Sequence, residues 1–186
     1  MKDYERKIKS LITGCQRQDR ESQENLYREF YGYGMSICLR YVDNRDEASE
    51  ILNDGFLKIF TNIEKFDAEK PFKPWLRQIL VNTAINHYRK QQRSLKFNEI
   101  SDEHQHADME YTFSNISFHE MLDLLKKLPL SYRTVFNLYV IEGYKHEEIA
   151  ELLNISSGSS KSALFKAKEL LKKYLHSFFE VSYVEK

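Results

Sequence analysis

The stretch Gly143–Leu175, GYKHEEIAELLNISSGSSKSALFKAKELLKKYL, carries two helical periodicities separated by a polar break. His146–Leu153 forms a short amphipathic helix, with Ile149, Ala150, Leu152 and Leu153 on the buried side and Glu147, Glu148 and Glu151 outside. Asn154 follows, the non-glycine residue best suited to a turn that needs positive φ. Ser156 or Ser157 then caps a second helix whose Leu164, Ala167, Leu170, Leu171, Tyr174 and Leu175 keep one apolar stripe. Its other face holds Lys161, Lys166, Lys168, Lys172 and Lys173 against the acid Glu169. Spacing alone also describes a solvated helical hairpin with wet lysines. The small Ala150, the polar turn and the Ser/Lys-rich start of the second helix favour a helix-turn-helix, whose recognition helix meets base edges from its N-terminal residues.

Outward from this stretch the chain is helical throughout. With three prolines and six glycines in 186 residues and no visible repeat, an all-α protein is expected. Upstream, Met121, Leu122, Leu124, Leu125 and Leu128 form a helix stopped by Pro129. Ser131 is expected to cap the next, which carries Val135, Phe136, Leu138, Tyr139 and Ile141 and ends at Gly143. The tail offers Phe178, Phe179, Val181 and Tyr183 to the domain or to a partner.

Residues 94–117 break the pattern. Five acids (Glu99, Asp102, Glu103, Asp108, Glu110) and few aliphatics describe a flexible acidic linker. It contains His104 and His106, which lack further ligands at zinc spacing. Two small helical domains, residues 1–93 and 118–186, are therefore expected on either side of it.

The first domain begins with a helix bearing Tyr4, Ile8, Leu11 and Ile12, then a second with Leu26, Phe30, Tyr33, Ile37 and Tyr41. Asn44 with Glu47 opens a third in the manner of a capping box. Its apolar set is Ala48, Ile51, Leu52, Phe56, Ile59 and Phe60; its exposed set, Asp46, Glu47, Glu50 and Asp54, is acidic, and Gly55 is expected to weaken it. A loop with two prolines leads to a helix from Pro74 to Arg93, in which Phe72, Trp75, Leu76, Ile79, Leu80 and Thr83 or Ala84 can face the core. Arg77, Asn82, Asn86, His87, Arg89 and Lys90 are left for solvent or a ligand.

Net charge is zero, yet charge is segregated: Lys70 to Asn98 holds no acid and seven cations. Aromatics at 13% and hydrophobics at 41% suffice for packed cores. Cys15 and Cys38 show no metal-type spacing, the N-terminus is too polar for a signal peptide, and no apolar run approaches membrane-spanning length. A cytoplasmic protein without membrane insertion is expected. Enzymes are disfavoured, and no cofactor is expected, because no Gly-rich phosphate loop, H-E-x-x-H, C-x-x-C or nucleophile elbow occurs. A conventional helix-turn-helix regulator with a helical sensor domain remains as an alternative, but leaves the acid-free stretch without a role.

Three segments together resemble the extracytoplasmic-function sigma factors of bacterial RNA polymerase. They are DEASEILNDGFLKIF (46–60), PFKPWLRQILVNTAINHYRKQQR (71–93) and the run from Leu128 to Leu175. The most specific elements are Trp75, Leu76, Ile79 and Asn82, and the ordered set Gly143, Glu148, Ile149, Ala150, Ser157, Gly158, Ser159, Lys161 and Ser162. The resemblance implies that Asp46, Glu47, Glu50 and Asp54 meet the clamp helices of the largest subunit of core polymerase. It implies that Phe72, Lys73, Arg77, Asn82, Tyr88, Arg89 and Lys90 serve the −10 element, with Trp75 in the core and Phe72 and Tyr88 offered to bases. An unpaired base would be gripped by the loop Phe66–Lys73 and by residues of the helix after it, with Asn82 bonding either a base edge or the backbone of that loop as its cap. Ser159, Ser160, Lys161, Ala163 and Lys166 would face the −35 duplex. Promoter DNA, both duplex and melted single strand, and an anti-sigma protein are the further partners implied. The sequence departs from the family pattern at Ser160, usually Val; at Ala163, often Arg; at Asn154, usually Gly; and at Gly55.

Overall fold

The computed structural model describes residues 2–95 and 118–184, and every regular element among them is helical. Contacts divide the chain into two compact units, Met1–Leu39 with Asn44–Tyr88 and Arg40–Asp43 with Arg89–Lys186. The acidic stretch with His104 and His106 lies outside the described residues.

The first unit is built from α1 (Lys2–Gln16), α2 (Arg20–Cys38), α3 (Arg45–Asn62) and, as far as Tyr88, α4 (Phe72–Leu95), with a 3-10 turn at Ile63–Lys65 after α3. Polar caps start the helices where the sequence changes character. Asp19 accepts a hydrogen bond from the Ser22 amide, and Asn44 accepts one of 2.8 Å from the Glu47 amide while its own amide donates to the Glu47 carboxylate. Pro74 stands in the first turn of α4, where amides lack intrahelical acceptors and its missing N–H costs nothing. Ile12, Leu26, Phe30, Ile51, Leu52, Phe56, Ile59, Leu76 and Leu80 make the core.

Gly55 does not weaken α3 in the way the sequence suggested. The helix is unbroken, and the missing side chain is the space in which Leu80 of α4 packs. A second amide fixes the turn into α4: Gln16 donates from Nε2 to the carbonyls of Ile63 (3.2 Å) and Phe66 (2.9 Å).

The second unit contains α5 (Phe118–Lys126), α6 (Leu130–Phe136), a π-helical turn at Asn137–Ile141, α7 (His146–Leu153) and α8 (Ser157–Val184). Leu124, Leu125 and Leu128 pack on Ala167, Leu171 and Leu175 of α8, with Tyr132, Phe136, Leu170 and Tyr174 at the margin. Ser131 is not the cap of α6: that helix begins one residue earlier, behind Pro129, which supplies no side-chain bond. The wide π turn also shifts the helical phase beyond Asn137. Tyr139 consequently faces outward instead of joining the core, as does its neighbour Val140, which the sequence left unassigned, and the Tyr139 ring stacks on His146 at 4.5 Å.

The helix-turn-helix closes as its residues require. Asn154 takes the left-handed conformation at φ 56, and Ile155 donates its amide to the Ala150 carbonyl at 3.0 Å. Ser156 is the cap of α8, its Oγ accepting from the Ser159 amide at 2.9 Å. At the start of α7 the Glu148 carboxylate reaches back to the Lys145 amide at 2.7 Å.

Candidate nucleic-acid interface

Three surfaces carry the candidate residues, and each follows from helical phase. On α4, Phe72, Leu76, Leu80, Ala84 and Tyr88 recur every fourth residue and form the buried stripe. This overturns two assignments. Phe72 is only 4% exposed, its ring 4.9 Å from Phe30 and 5.7 Å from Phe66, and Tyr88 is 8% exposed, its phenol pKa pushed up by burial. Both rings are closed off from solvent. Trp75, placed in the core by the sequence, is half-buried on the adjacent stripe with Ile79, Asn82 and Asn86, its indole packed on Phe66 at 4.7 Å. Spacing of three and four from Trp75 marks this second stripe, but only the cover supplied by the other helices tells which of the two is buried.

That adjacent stripe lines an open cavity of about 520 Å³ between α3 and α4, with Trp75, Ile79, Asn82, Thr83 and Asn86 on one side and Lys58, Asn62 and Lys65 on the other. Lys58 is aimed by Thr83: its Nζ donates to Thr83 Oγ1 at 3.0 Å, while Thr83 donates to the Ile79 carbonyl at 2.8 Å. Asn62 is held by its Nδ2 donating to the Lys58 carbonyl at 2.9 Å. An indole face, three amide side chains and two ammonium groups in one open hollow suit a planar, hydrogen-bonding ring attached to a phosphate. Lys58, Asn62 and Lys65 had no assignment from the sequence, because they lie on a different helix and turn and only the fold brings them to Asn82.

The cations of α4 divide between two faces. Arg89 and Lys90 continue the cavity-bearing stripe, whereas Lys73 and Arg77 stand roughly half a turn away around the helix. Lys73 lies over the Tyr33 ring of α2, 5.6 Å from its centroid. The resemblance had grouped all four.

On α8 the buried stripe runs Ser160, Leu164, Ala167, Leu171 and Leu175. Ser160 is fully buried and bonded to His146 Nδ1 at 2.9 Å, which ties the two helices of the motif together, so its assignment to the DNA face is withdrawn. Ala163 is half-buried at the edge of that stripe. Ser159, Lys161 and Lys166 are exposed, with Lys166 Nζ 5.7 Å from the centroid of the Tyr132 ring. Ser162 and Phe165, unassigned by the sequence, are exposed as well.

On α3, Asp46, Glu50 and Asp54 are exposed and repeat every fourth residue. Glu47 is half-buried and occupied in the cap with Asn44. Leu57 lies on the same acidic stripe and is 66% exposed, an apolar residue that the sequence left unassigned. Among the described residues, no group of His, Cys, Asp and Glu could hold a metal ion, and no helix is long and apolar enough to cross a membrane.

The sequence matches the family model described as Sigma-70 region 2 over residues 26–94 and that described as Sigma-70, region 4 over residues 118–171. It is 30% identical over 136 residues to RNA polymerase sigma factor SigV of Bacillus subtilis, covering 73% of this chain and 80% of that one. It is 26% identical over 174 residues to the ECF RNA polymerase sigma-E factor of Haemophilus influenzae, covering 87% of this chain and 92% of the relative. Over 184 residues it is 27% identical to the ECF RNA polymerase sigma factor SigW of Bacillus subtilis, covering 90% and 96% respectively.

Proposed function

Because this chain belongs to the extracytoplasmic-function sigma factors of bacterial RNA polymerase, we propose that its three surfaces divide the work of promoter-specific initiation. The α3 stripe of Asp46, Glu50, Asp54 and Leu57 docks on the clamp helices of the largest subunit of core polymerase. The exposed N-terminal face of α8 lies in the upstream −35 duplex. The hollow between α3 and α4 receives one unpaired base of the melted −10 strand. Residues 1–93 and 118–186 are then the two DNA-binding bodies and 94–117 the tether between them. The protein acts as a polymerase subunit without a catalytic step of its own.

The observation that carries this reading is the hollow itself. Opening a base costs a few kcal/mol, and a single stack returns about 1–3 kcal/mol. Amide contacts to the base edge add to that return, and Lys58 and Lys65 supply charge for the flanking phosphates. Asn82 is exposed at the rim of the hollow, so its amide is available to a base edge.

Trp75 is the chain's single tryptophan, so its fluorescence reports on this cavity directly. Titrating the holoenzyme-forming chain with a single-stranded −10 oligonucleotide should change that emission, and Asn82→Ala should weaken the apparent affinity about tenfold. Run-off transcription with core polymerase should fall in parallel and recover on a template already melted at the start site. Unchanged Trp75 emission at saturating oligonucleotide would remove the hollow as the base site.

A further inference from the structure

A second cavity, of about 740 Å³, opens on the first unit between α1, Phe30 of α2 and residues 68–73. Its volume falls in the range of small-ligand pockets, about 300–1,000 Å³. Helical spacing puts Tyr4, Ile8 and Ile12 on one face of α1, and Ile8 and Ile12 join Phe30 and Phe72 in lining an apolar floor. That floor is recessed: all four of its side chains are buried, and only the Tyr4 ring stands out beside them. Phe72, whose ring centroid is 5.8 Å from that of Trp75, joins the floor to the hollow between α3 and α4.

The rim decides what such a cavity can take. Lys9 is bonded to Glu69, which ties α1 to the loop before α4, and Arg6 is offset by Asp3 at 3.7 Å and by its neighbour Glu5. Lys70 and Lys73 tip the remaining rim positive. Lys70 reaches Asp67 only at 4.0 Å, with both side chains largely in solvent. Lys73 lies over the Tyr33 ring, and Glu29, the acid that feels its charge, is already bonded to Lys7. A partner helix, about 10 Å across, is too wide to reach a floor set below this rim. A slender alkyl chain reaches it, and each methylene it buries is worth about fourfold in affinity. We infer that this cavity is a binding site for a small amphiphilic anion, an alkyl chain ending in a carboxylate. Its apolar body lies on Ile8, Ile12, Phe30 and Phe72, and its head meets Lys70 and Lys73.

The test titrates the full chain with sodium decanoate below its micellar concentration. Calorimetry should show saturable binding, and amide resonances should move within residues 4–12 and 68–73. Octanoate, two methylenes shorter, should bind about fifteenfold more weakly. Decyltrimethylammonium, the same tail with the opposite charge, should bind more weakly by about tenfold or more. Lys70→Glu combined with Lys73→Glu should weaken decanoate by about tenfold or more and remove the preference for the anion. Ala68→Trp, which sets a bulky ring in the lining, should abolish binding. Circular dichroism checks that each variant is folded, and the charge variant, altered only at exposed positions, decides the matter should Ala68→Trp not fold. Absence of saturable binding, equal affinity for the anion and the cation, or undiminished binding in the charge variant overturns the assignment. So does an acidic amphipathic peptide that moves the same resonances where decanoate does not, since a protein partner then takes the place of the small anion.

Discussion

Leu80 of α4 packs directly against Gly55 of α3, so closely that a Cβ on Gly55 would overlap its Cδ2 methyl. Gly34 of α2 makes room chiefly for Leu52 of α3, whose Cδ1 a Cβ there would overlap, with the other Leu80 methyl at 3.3 Å. Two glycines thus make room for two leucines, Leu80 against Gly55 and Leu52 against Gly34, and set how closely α2, α3 and α4 approach. Gly55→Ala gains about 1 kcal/mol of helix propensity but forces Leu80 off its rotamer or the helices apart, at about 1–3 kcal/mol. It should lower the Tm. Gly32→Ala is the control: Gly32 is helical and exposed, with nothing within 4 Å of a built Cβ, so the same substitution there should raise the Tm. Thermal unfolding of the two variants should give shifts of opposite sign.

Gln16 should matter more for the cavity than for the fold. Its amide bonds the part-buried carbonyls of Ile63 and Phe66, and Phe66 supports the Trp75 indole. Gln16→Leu leaves both carbonyls without that donor, a cost of about 1–3 kcal/mol, and frees the turn carrying Lys65. Amide exchange should accelerate at residues 63–66 ahead of the helices, and Trp75 emission should shift to the red as the indole becomes wetter. An unchanged spectrum would mean that the turn is held by its 3-10 bonds alone.

What the residues announced in advance depended on how local the cause was. Asn154 in the left-handed region and the Asn44 cap are set within one turn, and both were legible, as was the exposure of Asp46, Glu50 and Asp54, though not the engagement of Glu47 in the cap. The exchange of roles between Phe72 and Trp75 was not. Both are large and apolar at the start of α4, and the i, i+4 stripe ending at Tyr88 decides between them only once α1 to α3 show which side is covered. Gly55 read as a weak point because Leu80, its partner in space, lies 25 residues on. Tyr139 was missed because a π turn, unlike an α turn, leaves no composition signal and rotates every residue after it.

The α3 surface should separate charge from apolar contact. Glu50→Lys with Asp54→Lys should weaken core polymerase binding about tenfold or more, with the loss fading as salt rises. Leu57→Ala should weaken it by a factor that salt does not change, since burial of an apolar side chain is not screened. Neither should alter promoter duplex binding by the second unit. Surface plasmon resonance with immobilised core enzyme across a salt series measures both, and an equal loss of polymerase and duplex binding would defeat the division of labour.

Cys15 gives the pH dependence a definite sign. It is fully buried, and burial, assisted by the charge of Asp19, pushes its thiol up from 9.0 to about 11. The folded state therefore keeps the proton that the unfolded chain begins to release near pH 9, so this group's contribution falls as pH rises from 9 towards 11. Denaturant midpoints should decline over that window, and Cys15→Ser should flatten the decline. A thiol reagent at pH 8 should reach Cys15 only at the rate of unfolding.

Lys161 offers the most direct test of phosphate contact on α8. It is exposed in the second turn of α8. Each phosphate neutralised on duplex DNA contributes about −0.9 to the slope of log K against log salt. Lys161→Ala should therefore reduce the magnitude of the holoenzyme's slope by about 0.9 while weakening binding to promoter and non-promoter duplex alike. If affinity falls on the promoter only and the slope is unchanged, Lys161 instead bonds a base edge, guanine O6 and N7 being the acceptors within reach of a lysine in the major groove.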